Sequence, residues 1–158
     1  MIINTNGLMM IRQDESETQT HEILQDPGIL ENLSEARSFP DRMPSSICFR
    51  IEKEKDIIGQ ACLKRISWIN RKAEVSLFIR KDMQAQGHGS LALQAIIEYA
   101  FKRLNLYRLE AEVIDENLAS LKLVDKAGFT AEGRLREAKF INGEYRDLLR
   151  FGLLSKEF

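Results

Sequence analysis

Between Ile47 and Ile79 the chain alternates apolar and polar positions with a period of two. In the last of these runs Val75, Leu77 and Ile79 fall on one face, and Glu74, Ser76, Phe78 and Arg80 on the other, as expected of a half-buried strand. The pattern predicts three strands, Ile47–Glu52, Ile57–Ile66 and Ala73–Ile79, joined by polar turns at Lys53–Asp56 and Asn70–Lys72. The period then lengthens. Leu93, Ile97, Ala100, Phe101 and Leu104 form one stripe of a long helix. A strand at Arg108–Ile114 follows, then a short helix at Leu118–Ala127. A closing hairpin over Phe129–Leu154 reverses at Asn142-Gly143, a strong type I′ signal. Upstream, Leu8–Arg12 reads as a strand. Ser16–Gln25 and Gly28–Arg37 read as helices split by Asp26-Pro27-Gly28, and Ser38–Ser46 as a loop. Strands and helices do not alternate throughout, which excludes a doubly wound fold. The expectation is an α+β domain spanning residues 1–158: a mixed, mostly antiparallel sheet flanked by helices. Its strand–helix–strand unit, Ala73–Ile79 to Arg108–Ile114, forms a parallel crossover.

Composition narrows the class. The 44% apolar and 30% charged residues are ordinary for a soluble globular chain. There is no apolar run of about 18 residues and no basic, then apolar N-terminal segment. No membrane partner and no secretory leader are therefore expected. A net charge of −1 argues against general nucleic-acid binding. Two histidines, His21 and His88, are too few for a zinc site, so no metal is expected. Cys48 and Cys62 show no metal or redox spacing and read as two reduced thiols of a cytoplasmic protein.

The segment Gln84-Ala85-Gln86-Gly87-His88-Gly89-Ser90 carries the chemistry. Glycines separated by one residue, opening a helix, let backbone N–H groups converge on an anion. The alternative is a helix cap without a ligand. A Rossmann turn needs a third glycine and a following acidic residue, and a Walker loop needs Gly-Lys-Ser/Thr; neither is present. One element later, Asn117 is a good N-cap and Gly128 a good helix stop. Capping explains both residues, but not their pairing with the glycine turn.

Together these residues resemble the GNAT superfamily of acyl-CoA-dependent N-acetyltransferases. Gln84, Gly87 and Gly89 match its Gln/Arg-x-x-Gly-x-Gly/Ala turn, and Asn117, Ser120, Gly128 and Phe129 match its Asn-x-x-Ser/Ala…Gly-Phe motif. Gly128–Gly133 and Asn142–Asp147 are similar to the branch that holds the ribosomal-protein N-terminal (RimJ/RimL type) and spermidine acetyltransferases. The resemblance covers residues 57–154. It implies a three-layer α/β/α sandwich with a splayed parallel strand pair, acetyl-CoA as cosubstrate and, by analogy with the branch, a homodimer. It also implies that backbone groups at Phe78, Ile79 and Arg80 pair with the pantetheine arm. Gln86, Gly87, His88, Gly89, Ser90 and Leu91 would cradle the diphosphate, with Gln84, Asn117 and Ser120 nearby; Lys126 either reaches a coenzyme phosphate or is a solvated helix terminus.

The reacting side chains are less sharply marked. The tyrosine that many members place four residues after the Ser/Ala position is Val124 here, so no acid is assigned. Glu74 is the candidate base, against a surface carboxylate paired with Arg71 or Lys72. Ser120 either assists the leaving sulfur or serves capping and packing. Glu110 and Glu112 read as ion-paired with Arg146 and Arg150 across the hairpin, against a role in binding the amine. Three acceptor classes follow: a peptide or protein N-terminus, for which the short N-terminal segment leaves a groove; a polyamine; or an amino sugar. A fourth reading is a module that binds acyl-CoA but catalyses poorly.

Overall fold

The computed structural model describes residues 2–13 and 43–158. Eight strands form one sheet in the order β1-β2-β3-β4-β5-β6-β8-β7: β1 (Ile2–Thr5), β2 (Leu8–Gln13), β3 (Ile47–Lys53), β4 (Asp56–Ser67), β5 (Lys72–Ile79), β6 (Arg108–Ile114), β7 (Thr130–Ile141) and β8 (Glu144–Leu154). The sequence pattern does not predict β1. The helices expected at 16–25 and 28–37 lie outside the described residues.

Every pairing is antiparallel except β5 with β6. Between those two strands lie α1 (His88–Glu98), which continues as a π-helical turn over Tyr99–Arg103, and the linker to β6. Helix α2 (Leu118–Lys126) joins β6 to β7. Leu93, Ile97 and Ala100 of the predicted stripe are buried, and Phe101 and Leu104 pack at its edge. With Phe49, Ile51, Leu63, Ala73, Val75, Leu109 and Leu153 they form one continuous core. Phe49 meets Tyr99 edge-on, with ring centroids 5.1 Å apart.

The parallel seam is short. Lys72 pairs with Arg108, Ala73 with Leu109 and Glu74 with Glu110, and there it ends. From Val75 to Ile79, β5 stays with β4 and leaves β6. Gly59 explains how β4 follows it. A Cβ at Gly59 would overlap the Phe78 carbonyl oxygen and lie 3.0 Å from Ile79 Cδ1. Only glycine lets the two backbones approach this closely.

The sulfurs of Cys48 and Cys62 are bonded to each other, which corrects the expectation of two free thiols. The two residues are opposite partners in the β3–β4 register, with Cα atoms 4.1 Å apart. That juxtaposition is a property of the sheet and leaves no mark in the spacing of the residues. The Asn142-Gly143 turn forms as expected, with φ of 51° and 85°.

Candidate active site

Two pockets lie against the opened seam. The first is a cleft of about 510 Å³ between the end of β5, the start of α1 and one side of α2. β5 supplies Leu77, Phe78 and Ile79; the glycine turn supplies Gln84, Ala85, Gly87, Gly89 and Ser90; α2 supplies Asn117, Ala119, Ser120, Lys122, Leu123 and Lys126. Its charged lining residues are two lysines, and no carboxylate is among them.

The glycine turn is built to present backbone donors. Gly87 caps α1 at φ 85°, in the left-handed region, and no side chain caps the helix. Its first N–H groups therefore lack side-chain partners on the chain side of the cleft. A Cβ on Gly89 would meet Leu123 Cδ2 at 3.7 Å, an ordinary contact. The protein's own packing does not require glycine there; a group lying on that backbone would. This is the fit expected of a diphosphate. Gln84 donates from Nε2 to the Ile79 carbonyl at 2.8 Å and so ties the turn to the end of β5.

The structure thus brings Phe78, Ile79, Gln84, Gly87, Gly89, Ser90, Asn117, Ser120 and Lys126 around one cleft. Arg80, Gln86, His88 and Leu91 do not line it. The Arg80 N–H is bonded to the Ile58 carbonyl at 2.7 Å, and its guanidinium is held by Asp82. Gln86 donates to the Asp82 carbonyl. His88 has Nε2 buried without a partner among the described residues. Asn117 accepts from the Ser120 N–H at 3.1 Å and caps α2. The Ser120 hydroxyl makes no hydrogen bond among the described residues. Val124 is buried in the core. Sequence reasoning missed Lys122, whose one-turn spacing from Lys126 was the available signal.

The second pocket, about 710 Å³, gathers residues on the other side of β5 and β6. Glu74, Glu110, Glu112 and Glu132 carry its negative charge, and Arg65, Lys72, Arg108 and Arg150 its positive charge. Glu74, 15% exposed, pairs with Arg65, not with Arg71 or Lys72. Lys72 instead reaches Glu110 at 3.1 Å, and Arg108 reaches Glu110 at 2.9 Å. Glu112 pairs with Arg150 at 2.9 Å, as expected. Arg146, expected near these carboxylates, binds Glu116 and Glu144.

Sequence reasoning also missed Glu132, although it belongs to the Gly128–Gly133 motif. Arg108 grips it with both Nη atoms, one at 2.8 Å. Gly152 makes room for it, since a Cβ there would overlap the Glu132 carboxylate. Hydrogen bonding to Arg108 holds Glu132 below the usual carboxylate range. Burial pushes Glu110 up, but hydrogen bonds from Arg108 and Lys72 outweigh it and the net shift is downward. Glu132, then Glu110, raise Arg108.

Comparison with known proteins agrees with this geometry. A family model described as an acetyltransferase (GNAT) domain matches residues 9–149. The chain is 33% identical over 107 residues to spermidine N(1)-acetyltransferase of Vibrio cholerae, covering 68% of this chain and 62% of that protein. It is 34% identical over 100 residues to the ribosomal-protein-serine acetyltransferase of Escherichia coli, covering 63% and 56%. The aligned stretches thus span less than two thirds of these relatives. A solved point mutant of the Vibrio cholerae spermidine N-acetyltransferase superposes with a TM-score of 0.69 at 33% identity, covering 71% of this chain and 67% of that one. A seam that opens after three residue pairs, a glycine-capped helix facing the gap and these matches make the chain a member of the GNAT acetyltransferase family.

Proposed function

We propose that this protein transfers an acetyl group from acetyl-CoA to a primary amine, with a peptide or protein N-terminus as the acceptor. The observation that carries the reading is the position of the two pockets on opposite sides of one short seam. Donor and acceptor can then approach through the gap between β5 and β6. In the cleft, α1 N–H groups hold the diphosphate, with Lys122 and Lys126 adding positive charge. The edge of β5 beyond Glu74 has no strand partner, so its backbone can pair with the pantetheine arm. An N–H on that edge donates to the thioester oxygen as negative charge builds on it. Glu74, at the mouth of the gap, takes the proton from the attacking amine, directly or through water. Thiolate leaves with little acid help, so a buried Val124 does not stop turnover.

A polyamine acceptor is the second reading, favoured by relatives named spermidine acetyltransferases. Amino sugars share the chemistry. We place the protein in the cytoplasm, where acetyl-CoA is made and used. No helix among the described residues is long and apolar enough to cross a membrane. The V. cholerae spermidine N-acetyltransferase has a dodecameric structure; for this chain a homo-oligomer, at least a dimer, is part of the proposal.

The test is release of free CoA thiol from acetyl-CoA with a panel of peptides, polyamines and amino sugars. Amine-dependent release is expected. Tight CoA binding with no release for any amine would instead identify a binding module.

A further inference from the structure

The second pocket holds a feature that acetyl transfer to a simple amine does not use. β4 breaks register with β5 between Lys64 and Ser67, and in this bulge Arg65 adopts φ 49°. A long side chain in the left-handed region is disfavoured, and bulges re-aim side chains beside functional sites. Here the bulge carries Arg65 over Glu74. The arginine is 68% exposed and pairs with Glu74 and Glu112. Among the described residues its Nε and Nη1 make no hydrogen bond. A mostly exposed guanidinium thus stands next to Glu74, the carboxylate proposed to take the proton of the amine.

We propose that the exposed guanidinium of Arg65 binds a carboxylate on the acceptor, so that the preferred substrate is a primary amine with an acidic group a few ångströms away. The proposal rests on the transferase reading above and specifies its acceptor. The ion pairs point the same way. Each of the pocket's four carboxylates already has a cation within the chain. A polyamine would have to displace those cations while bringing no anion for Arg65. A zwitterion answers both charges at once. The same chemistry is offered by an acidic peptide N-terminus and by a free acidic amino acid.

The experiment compares kcat/KM for two blocked tetrapeptides, Ala-Glu-Ala-Ala amide and Ala-Gln-Ala-Ala amide, alongside free glutamate and spermidine. The wild type is expected to favour the glutamate peptide over its glutamine twin by about tenfold or more, the usual size of a charged hydrogen bond. Arg65→Gln should bring that ratio near one, and Arg65→Lys should leave it between the two, since lysine keeps the charge without the fork. Free glutamate outrunning both peptides would support the same site and identify an amino acid as its source. The proposal is overturned if the twins are turned over equally by the wild type, if spermidine is the better substrate, or if Arg65→Gln leaves the ratio intact. Should the variants not fold, the wild-type comparison alone decides. Absence of turnover with every amine is a separate result, which removes the transferase reading together with this one.

Discussion

Glu74 and Glu110 form the last rung of the parallel seam, so two carboxylates stand side by side where the sheet opens. Their surroundings separate their roles. Glu110 is locked by Lys72 and Arg108, whereas Glu74, among the described residues, pairs with the exposed Arg65. We expect Glu74→Gln to lower kcat about 100-fold, the lower range for loss of a general base. KM for acetyl-CoA should barely move, because Glu74 does not line the cleft proposed to hold the cofactor. Steady-state kinetics at saturating acceptor checks this; a kcat within about threefold of wild type would remove Glu74 as the base.

Gly59 sets the path of β5 at the open end. Gly59→Ala forces a methyl group against the Phe78 carbonyl and should cost about 1–3 kcal/mol, as overpacking does. It should also weaken CoA binding, because the displaced strand forms one wall of the cleft. Chemical denaturation and CoA titration of the same variant measure the two effects.

Acid should destabilise the protein through four carboxylates, one of them Asp82, which its hydrogen bond from Arg80 holds low. Glu110 and Glu132 are held low as described, and Asp147 is lowered by the Glu137 N–H at 2.7 Å and then by Arg134. A carboxylate depressed in the fold adds stability above its unfolded value, and that stability is lost as pH falls through its folded value. Unfolding free energy is therefore expected to be level from about pH 7 to about 5 and to drop below about 4.5. Asp147→Asn should make the drop shallower and unlock the β7 bulge at Leu135/Lys139. A stability curve that rises on acidification contradicts this assignment.

Much of the architecture is legible because it is local. Alternation at Val75, Leu77 and Ile79, the stripe from Leu93 to Leu104 and the Asn142-Gly143 turn each fix their element within a few residues. The family is legible too, through the glycine turn and the Asn117…Gly128-Phe129 pair. What escapes depends on register between distant strands. The bulge that lifts Arg65, the opposition of Cys48 and Cys62, the placement of Glu132 in the space over Gly152 and the pairing of Glu110 with Lys72 all arise from which residues face each other. The strand Ile2–Thr5 escapes because four residues carry too little periodicity.

The Cys48–Cys62 bond closes a loop with a sequence separation of 14, for which chain entropy predicts about 3 kcal/mol. Cys48→Ser/Cys62→Ser should lose stability of that order in denaturant. Unfolded wild-type protein should show no free thiol until a reductant is added. Two thiols titrated without reductant would restore the reading of two free cysteines.

In the proposed mechanism α1 holds the CoA diphosphate with its first backbone amides. The most direct test of this is a titration of isotopically labelled protein with CoA, followed by amide NMR. The His88, Gly89 and Ser90 amides are expected to shift most, with Phe78 and Ile79 next. Saturable binding that leaves these amides in place and moves others would contradict it.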